Sequence, residues 1–557
     1  MRRTGAWARP RWALWGALLV ACGSRSELLD GREGLQGAAG TAGARTQLPS
    51  GGTPSGFGGN LTSPFGGFGG GVPSFGGFGG AQMMPPGGMP FGGIAGVAGS
   101  PAAGQPGEAG APPIEGGAGN VEPGDVLWGK RFGDENSQAA TSIAVEDSGI
   151  TTLTGYLEGT ADFGSGSHVG GGGSTDVFVA QFNGDGSPRW DNAWGGAGLQ
   201  QGYGVALSSE GHISVVGGYS GKLSFGFETI ESAGAFSAFL LNLDHEGGYR
   251  HAASFSGESQ LATGVAIAAD GLQVWSGHFR GQIGLGNHTA SSKGAADAVM
   301  AGIAQDKSYK WDLEAGDASD QHANAIAYLE SDDSFIVTGD MKGSLKLGAC
   351  PTLTSVGDAD AWVGWLDGGG NCRDALSFGD STSQIPHAVA TGKSALSHLV
   401  AVVGDFSGNI TLADGISAID QDAFVVLFAA DPISQALGPQ WIRRIGGSGA
   451  QNAYGVAFDE QDNLIVVGRY TGDVNDPPLK PLGDLPANAY AVKYDVSGNV
   501  LWAKSFGDSD AQAARAVGTD AEGNVYVAGE FWGAMPLTNG TLKSAGAADI
   551  FLLKLAP

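Results

Sequence analysis

Two phrases at opposite ends of the chain carry nearly the same text, Leu127-Trp-Gly-Lys-Arg-Phe-Gly-Asp134 and Leu501-Trp-Ala-Lys-Ser-Phe-Gly-Asp508. Variants recur between them: Trp190 with Trp194-Gly195-Gly196, Phe255 with Gly257, Trp311 with Gly316-Asp317, Phe378-Gly379-Asp380, and Trp441 with Ile445-Gly446-Gly447. The spacing stays near 60 residues, roughly what a four-stranded blade and its loops occupy. A repeat this regular makes the C-terminal part of the 557 residues one closed array and not several unrelated domains.

Each repeat holds four apolar runs separated by turn residues, and no long 3.6-residue pattern follows Gly124, so the chain reads as all-β. We label the runs A to D. The A strands are expected to begin near Thr141, Tyr203, Thr263, Asn324, His387, Tyr454 and Arg515. B strands such as Ile213 to Gly217 and Val525 to Gly529 follow polar turns, for example Asp520-Ala-Glu-Gly-Asn524. The C strands, such as Val177-Phe-Val-Ala180 and Ile550-Phe-Leu-Leu553, are unbroken apolar runs, which implies burial on both faces of the sheet. Blades stacked round an axis supply that burial.

The D strands are the Trp/Phe-Gly phrases. The chain enters on a D strand and stops after a C strand, so Leu127 to Phe132 should pair beside Ile550 to Leu555. The expectation is a seven-bladed β-propeller, four antiparallel strands per blade, closed by the N-terminal strand joining the C-terminal blade.

Three segments follow: 1–22 a signal segment, 23–124 a linker, 125–557 the propeller. Arg2, Arg3, Arg9 and Arg11 precede an apolar run from Trp12 to Ala21, which is too short to span a bilayer and has the form of an export signal. The stretch from Ser24 to about Gly124 is dominated by Gly, Pro, Ala and Ser and reads as a disordered tether or plain spacer. Beyond Cys22 only Cys350 and Cys372 remain. In an oxidising compartment they would pair, the alternative being two small hydrophobes. A net charge of −27 argues against nucleic acid or anionic headgroups as partners.

Two resemblances add to this reading. Leu19-Val-Ala-Cys22 resembles the lipobox of bacterial lipoproteins, which implies lipidation of Cys22, and Gly23 after it implies the outer membrane and the cell surface. An ordinary signal peptide with an incidental Cys is the alternative. From about 125 to 557, the Trp-x-x-x-Phe-Gly phrase, the Asp-x-x-Gly-Asn turn, the Val-x-Val-x-Gly strand and the Asp-Ala-Phe-Val strand resemble the bacterial SBBP β-propeller repeat. That family implies a secreted or surface propeller and no particular activity. His251 and Asp374 stand where other repeats have Trp, and Ser394 to Ser397 disturbs one A–B turn.

In a ring of equivalent blades, what is common to all is architecture and what differs is the candidate site. The Gln entering each A strand, namely Gln138, Gln201, Gln260, Gln321, Gln384, Gln451 and Gln512, is therefore expected to bond loop backbone on one rim. The position after the B-strand Gly varies: Tyr156, Gly218, His278, Asp340, Asp405, Arg469 and Glu530. Of these His278, Asp340, Asp405, Arg469 and Glu530 are the candidate ligand-binding residues. On the same rim the D–A loops add Asp134, Glu135, Glu258, Asp317, Asp320, Asp380, Asp508 and Asp510, which could bind a cation, a basic ligand or a sugar, or be solvated loop charge.

No Gly-x-Ser-x-Gly elbow, His-Glu-x-x-His helix or Asp-x-Asp-x-Asp-Gly calcium loop occurs, and the nine His are scattered without metal-ligand spacing. No catalytic residue, metal or cofactor is expected. The function expected is a lipid-anchored, monomeric surface propeller acting as a non-catalytic binding or adhesion module for a glycan or protein. The alternatives are a glycan hydrolase or lyase using rim carboxylates, or a structural envelope component.

Overall fold

The computed structural model describes residues 114–115 and 121–557, apart from 171–173, 287, 395, 480–481 and 483–486. The proposed signal segment with Cys22, and nearly all of the linker, lie outside the described residues. No helix among the described residues is long and apolar enough to cross a membrane.

Seven four-stranded antiparallel sheets follow in chain order, each arranged A-B-C-D. Blade 1 is Gln138–Val145, Thr151–Leu157, Asp176–Phe182 and Pro188–Trp194. Blade 2 is Gln200–Leu207, Ile213–Tyr219, Ser237–Leu243 and Tyr249–Phe255; blade 3 is Gly257–Ile267, Gln273–Leu285, Asp297–Ile303 and Tyr309–Ala315. Blade 4 is Ala325–Leu329, Ser334–Met341, Asp360–Asp367 and Cys372–Phe378; blade 5 is Gln384–Thr391, Leu399–Phe406, Asp422–Asp431 and Ala436–Gly447. Blade 6 is Gln451–Phe458, Leu464–Tyr470, Asn488–Tyr494 and Val500–Phe506. Blade 7 takes Gln512–Thr519, Val525–Phe531 and Asp549–Leu555 from the C-terminal end and Val126–Phe132 from the N-terminal side, in the register Trp128 opposite Lys554 and Arg131 opposite Phe551. The A strand of each blade packs on that of the next, and blade 7 on blade 1, so the ring closes.

The apolar residues sort by junction. Seven hydrophobic clusters occur among the described residues, one between each pair of neighbouring blades. At the closing junction Phe132 lies 5.2 Å from Phe182 between ring centroids, and Trp128, Ile550 and Leu552 of blade 7 face Leu153 and Phe178 of blade 1. Every residue of Asp176–Phe182 is buried, as two-sided packing of a C strand requires. Each such Phe contributes on the order of 2 kcal/mol through burial.

The recurring Trp is a staple between blades. The indole Nε1 of Trp128 donates to Gly184 O at 3.2 Å, Trp190 to His245 O at 3.0 Å, Trp311 to Gly368 O at 2.9 Å and Trp441 to Val496 O at 2.9 Å. Each acceptor lies in the C–D turn of the following blade. Two residues further on stands a glycine at positive φ, for example Gly186 at +79° over Trp128 and Gly498 at +79° over Trp441, where a Cβ would strike the indole. Where Trp is replaced, only one blade keeps such a link: Asp374 of blade 4 accepts from Leu437 N of blade 5 at 2.8 Å, whereas His251 meets Asn242 at 3.1 Å within its own blade.

The seam repeats a C–D turn with two separate chain segments. In blade 1, Asn183 N donates to Ser187 O and Gly186 N to Asn183 O, both at 2.8 Å. At the seam Ala556 N donates to Asp125 O at 2.8 Å and Gly124 N to Ala556 O at 3.1 Å, with Gly124 over Trp502. Ile114–Glu115 adds a short strand outside Val126–Phe132, antiparallel to it.

Candidate functional site

Strand A of every blade lines the axis, and it carries one irregularity. In six blades a bulge interrupts the A–B register at one residue: Thr141, Tyr203, Thr263, His387, Tyr454 and Arg515. Asn324 holds the same place in blade 4. The A strands in most blades begin at the Gln three residues earlier than the residues expected from sequence. The alternation pattern starts only after the bulge, and that is the signal that misled. The small bulge residues bind the next blade: Thr141 donates to Gly202 O at 2.7 Å, Thr263 to Ala323 O at 2.7 Å, and Asn324 to Pro386 O at 2.9 Å.

The four larger bulge residues, Tyr203, His387, Tyr454 and Arg515, join the variable B-strand positions in a polar cluster at the end of the axis where the B strands finish. Arg515 donates to Glu530 through Nε at 2.9 and 3.1 Å and through Nη2 at 2.6 Å. Its guanidinium sits 4.4 Å from the centroid of Tyr454, which Arg469 also approaches at 5.9 Å and His387 at 5.4 Å. His387 contacts Asp405, which Gln421 and Asn452 also approach as donors. Arg469 Nε donates to Asn452 Oδ1 at 3.2 Å. On the other side, His322 Nδ1 lies 3.0 Å from Asp340, Asn324 donates to Asp340 at 2.9 Å, and the ring of His278 meets that of His322 edge-on at 4.6 Å.

Electrostatics follow from these contacts. Burial would raise the carboxyls of Asp340 and Asp405, but His322 and His387 respectively, with amide donors, outweigh it and hold both below the usual range. Burial, and then the charge of His322, pushes His278 down to about 3, so it is neutral. Burial likewise raises the phenols of Tyr156 and Tyr203. All five sequence candidates, His278, Asp340, Asp405, Arg469 and Glu530, therefore face this one end of the axis, as does Tyr156. The residues missed were the bulge side chains, whose unpaired position a one-dimensional pattern does not reveal.

The Gln residues have a separate, repeated role. In blades 2 to 7 the side-chain amide donates to a carbonyl of the chain leaving strand B, from Gln384 to Ser407 O at 2.9 Å just past the strand end and, in blade 3 where strand B is extended, from Gln260 to Gln282 O at 2.8 Å within it. In blade 2 the residue is Gln200, which donates to Ser220 O at 3.2 Å, and not the expected Gln201. Gln201 lies one register step on, opposite Gly218, and accepts from Tyr203. A Gln pair with period-two geometry left either residue eligible, and the pairing of Gln200 opposite Tyr219 decides it.

The rim carboxylates are structural in four blades. Asp134, Asp317, Asp380 and Asp508 each accept the amide of the second residue on and the side chain of the blade's Gln, for Asp508 at 2.8 and 2.9 Å. They also bind the first residues of the B–C ribbon, as Asp380 does Asn409 N at 2.8 Å. For Asp380, burial acts to raise the carboxyl, but the hydroxyl and amide of Thr382 and the amide of Asn409 prevail and hold it at about 2. Behind them the glycine of the Phe-Gly phrase is obligatory: Gly133, at φ +143°, would place a Cβ 2.3 Å from Gln138 Oε1 and 2.4 Å from the buried Asp549. Burial raises Asp549 to about 6 although Arg131 donates to it at 2.6 Å.

Elsewhere, Cys350 and Cys372 are joined by a disulfide within blade 4. On the outer edge of blade 3, His288 lies 3.3 Å from Asp312 and 3.4 Å from Glu314, grouping side chains that the sequence separates by a hairpin. At the opposite end of the axis a recess of about 250 Å³ is lined by Val145, Val389, Val456 and Lys393 among others. Lys393, on the irregular A–B turn of blade 5, reaches Thr519 O at 2.7 Å and Glu460 at 3.4 Å.

No protein-family model matches this chain. No curated protein matches it either. Among solved structures, the periplasmic gluconolactonase of Pseudomonas aeruginosa is similar at 12% identity, covering 72% of this chain and 99% of that one with a TM-score of 0.38. A putative 6-phosphogluconolactonase from Bacteroides fragilis is similar at 10% identity over 71% of this chain and 95% of that one, TM-score 0.37. A Lactobacillus plantarum protein is similar at 11% identity over 68% of this chain and 95% of that one, TM-score 0.38.

Proposed function

We propose that this chain is a surface-displayed, lipid-anchored propeller of the SBBP repeat type that acts as a non-catalytic binding module, with its ligand engaging the axial cluster at the end where the B strands finish. One observation carries the reading: positions repeated round the ring are spent on bonds within and between blades, whereas the positions that vary converge at one end of the axis. The lipobox-like Leu19-Val-Ala-Cys22 and the Gly-rich stretch after it support anchoring and display. A glycoside hydrolase working through rim carboxylates would need a carboxyl held protonated beside an ionised one. Asp340 and Asp405 are instead both held ionised by their partners, which favours binding over turnover.

The test is a glycan and protein array probed with the purified full chain and with a Tyr454→Ala, Asn452→Ala variant. Binding lost in the variant supports the reading. Binding that persists in it, or turnover that Asp340→Asn or Asp405→Asn abolishes, overturns it. For the anchor, palmitate label on the wild type and none on Cys22→Ser is expected.

A further inference from the structure

The axial cluster pairs its basic side chains unequally. Arg515 is committed to Glu530 through three contacts, His322 to Asp340 and His387 to Asp405. Arg469 is different. It spends only Nε, on Asn452 Oδ1 at 3.2 Å, and among the described residues no carboxylate lies within ion-pairing distance of it and no acceptor engages its Nη groups. Nor is Asp405 available as a counter-ion, because His387, Gln421 and Asn452 already surround it. Arg469 is half-buried at the finish of strand B, with its guanidinium 5.9 Å from the centroid of Tyr454.

A guanidinium with its planar fork free matches a carboxylate in bidentate fashion, and such charge-assisted pairs are the strong ones. Aromatic faces beside it suit the apolar face of a ring bearing hydroxyls. Tyr454 stands against Arg469 on blade 6, and Tyr156 and Tyr203 lie buried on blades 1 and 2 at the same end of the axis. The protein as a whole carries −27, so a bare cation at the axis is a local exception to a surface that repels anions.

We propose that the axial site takes an acidic saccharide, a sugar ring bearing a carboxylate, with Arg469 receiving the carboxylate and Tyr454 the ring. This rests on the reading that the axial cluster is the binding site, and it names the ligand class.

The probes are D-glucuronate and D-galacturonate against D-glucose, D-galactose and acetate, titrated calorimetrically into the full chain. Phenylglyoxal modification of Arg469 is read by mass spectrometry with and without each probe. The uronates are expected to bind and to shield Arg469, the hexoses and acetate to bind at least about tenfold more weakly, and Arg469→Gln to weaken uronate binding by about tenfold or more. Arg469→Lys, which keeps the charge without the fork, should fall between. An unchanged melting temperature in both variants shows that the fold is intact.

Hexoses binding as well as uronates, with Arg469→Gln silent and Tyr454→Ala disruptive, would overturn the acidic ligand and leave the axial site standing. Acetate binding as well as uronate would overturn the saccharide. Uronate binding indifferent to both Arg469 and Tyr454 would overturn the axial site as well, and no binding by any probe would overturn the acidic-saccharide assignment.

Discussion

Asp380, half-buried, and Asp549, buried, show how the same side chain acquires the opposite pH response from different surroundings. Asp380 is held at about 2, so its contribution to stability is full above the unfolded carboxyl range near 4 and is lost as pH falls toward 2. Asp380→Ala should cost about 1–3 kcal/mol at pH 7 and much less at pH 2.5, measured by urea unfolding. Asp549, raised to about 6 by burial, contributes most below about 4 and its contribution is lost as pH rises through 6. Asp549→Asn should therefore flatten the stability profile between pH 4 and 7, whatever it does to the absolute value through Arg131. An unaltered slope would show that the carboxyl is not the group responsible.

Between blades, the decisive element is the D strand with its Trp. Trp441 gives both packing and a bond to Val496 O, whereas Trp502 packs on Gly124 and its Nε1 has no acceptor among the described residues. Trp441→Phe should thus cost about 1 kcal/mol more than Trp502→Phe, because only the first removes a made hydrogen bond. Trp502→Ala, at a site 8% exposed, should still cost about 3–5 kcal/mol through the cavity it leaves. Thermal or urea unfolding of the three single variants checks both statements, and an unchanged melting temperature for Trp502→Ala would contradict the packing.

For the whole molecule, the seam is a hairpin turn in everything but covalency. Joining Ala556 to Gly124 through Gly-Asp, the pair at Gly184–Asp185 of blade 1, and reopening the chain between Ile433 and Ser434, should give a circular permutant with one cooperative unfolding transition at a melting temperature near that of the parent. The turn at 432–435 suits the opening because Ile433 is 93% exposed and blade 4 has no Trp to cover it. Deleting residues 125–134 instead removes the outer strand of blade 7 and uncovers the edge of Asp549–Leu555, which should lower stability by several kcal/mol. Equal melting temperatures for the deletion and the parent would mean that closure carries no stability.

The blade count, the closure and the all-β class were legible in the chain itself, because a phrase repeated every 60 residues or so, opening on an unmatched D strand and stopping after a C strand, leaves one way to close the ring. The five variable positions were legible too, since they fall at a constant offset from the B-strand Gly. What they do was not. Which Gln of Gln200 and Gln201 enters the ring, which rim aspartates are bound to amides, and which bulge residues turn toward the axis all depend on strand register. Register is set by packing between blades and not by the order of residues within one. Likewise Arg469 and Arg515 are the same residue type at comparable depth in sequence; only the fold gives one a carboxylate and leaves the other its fork free.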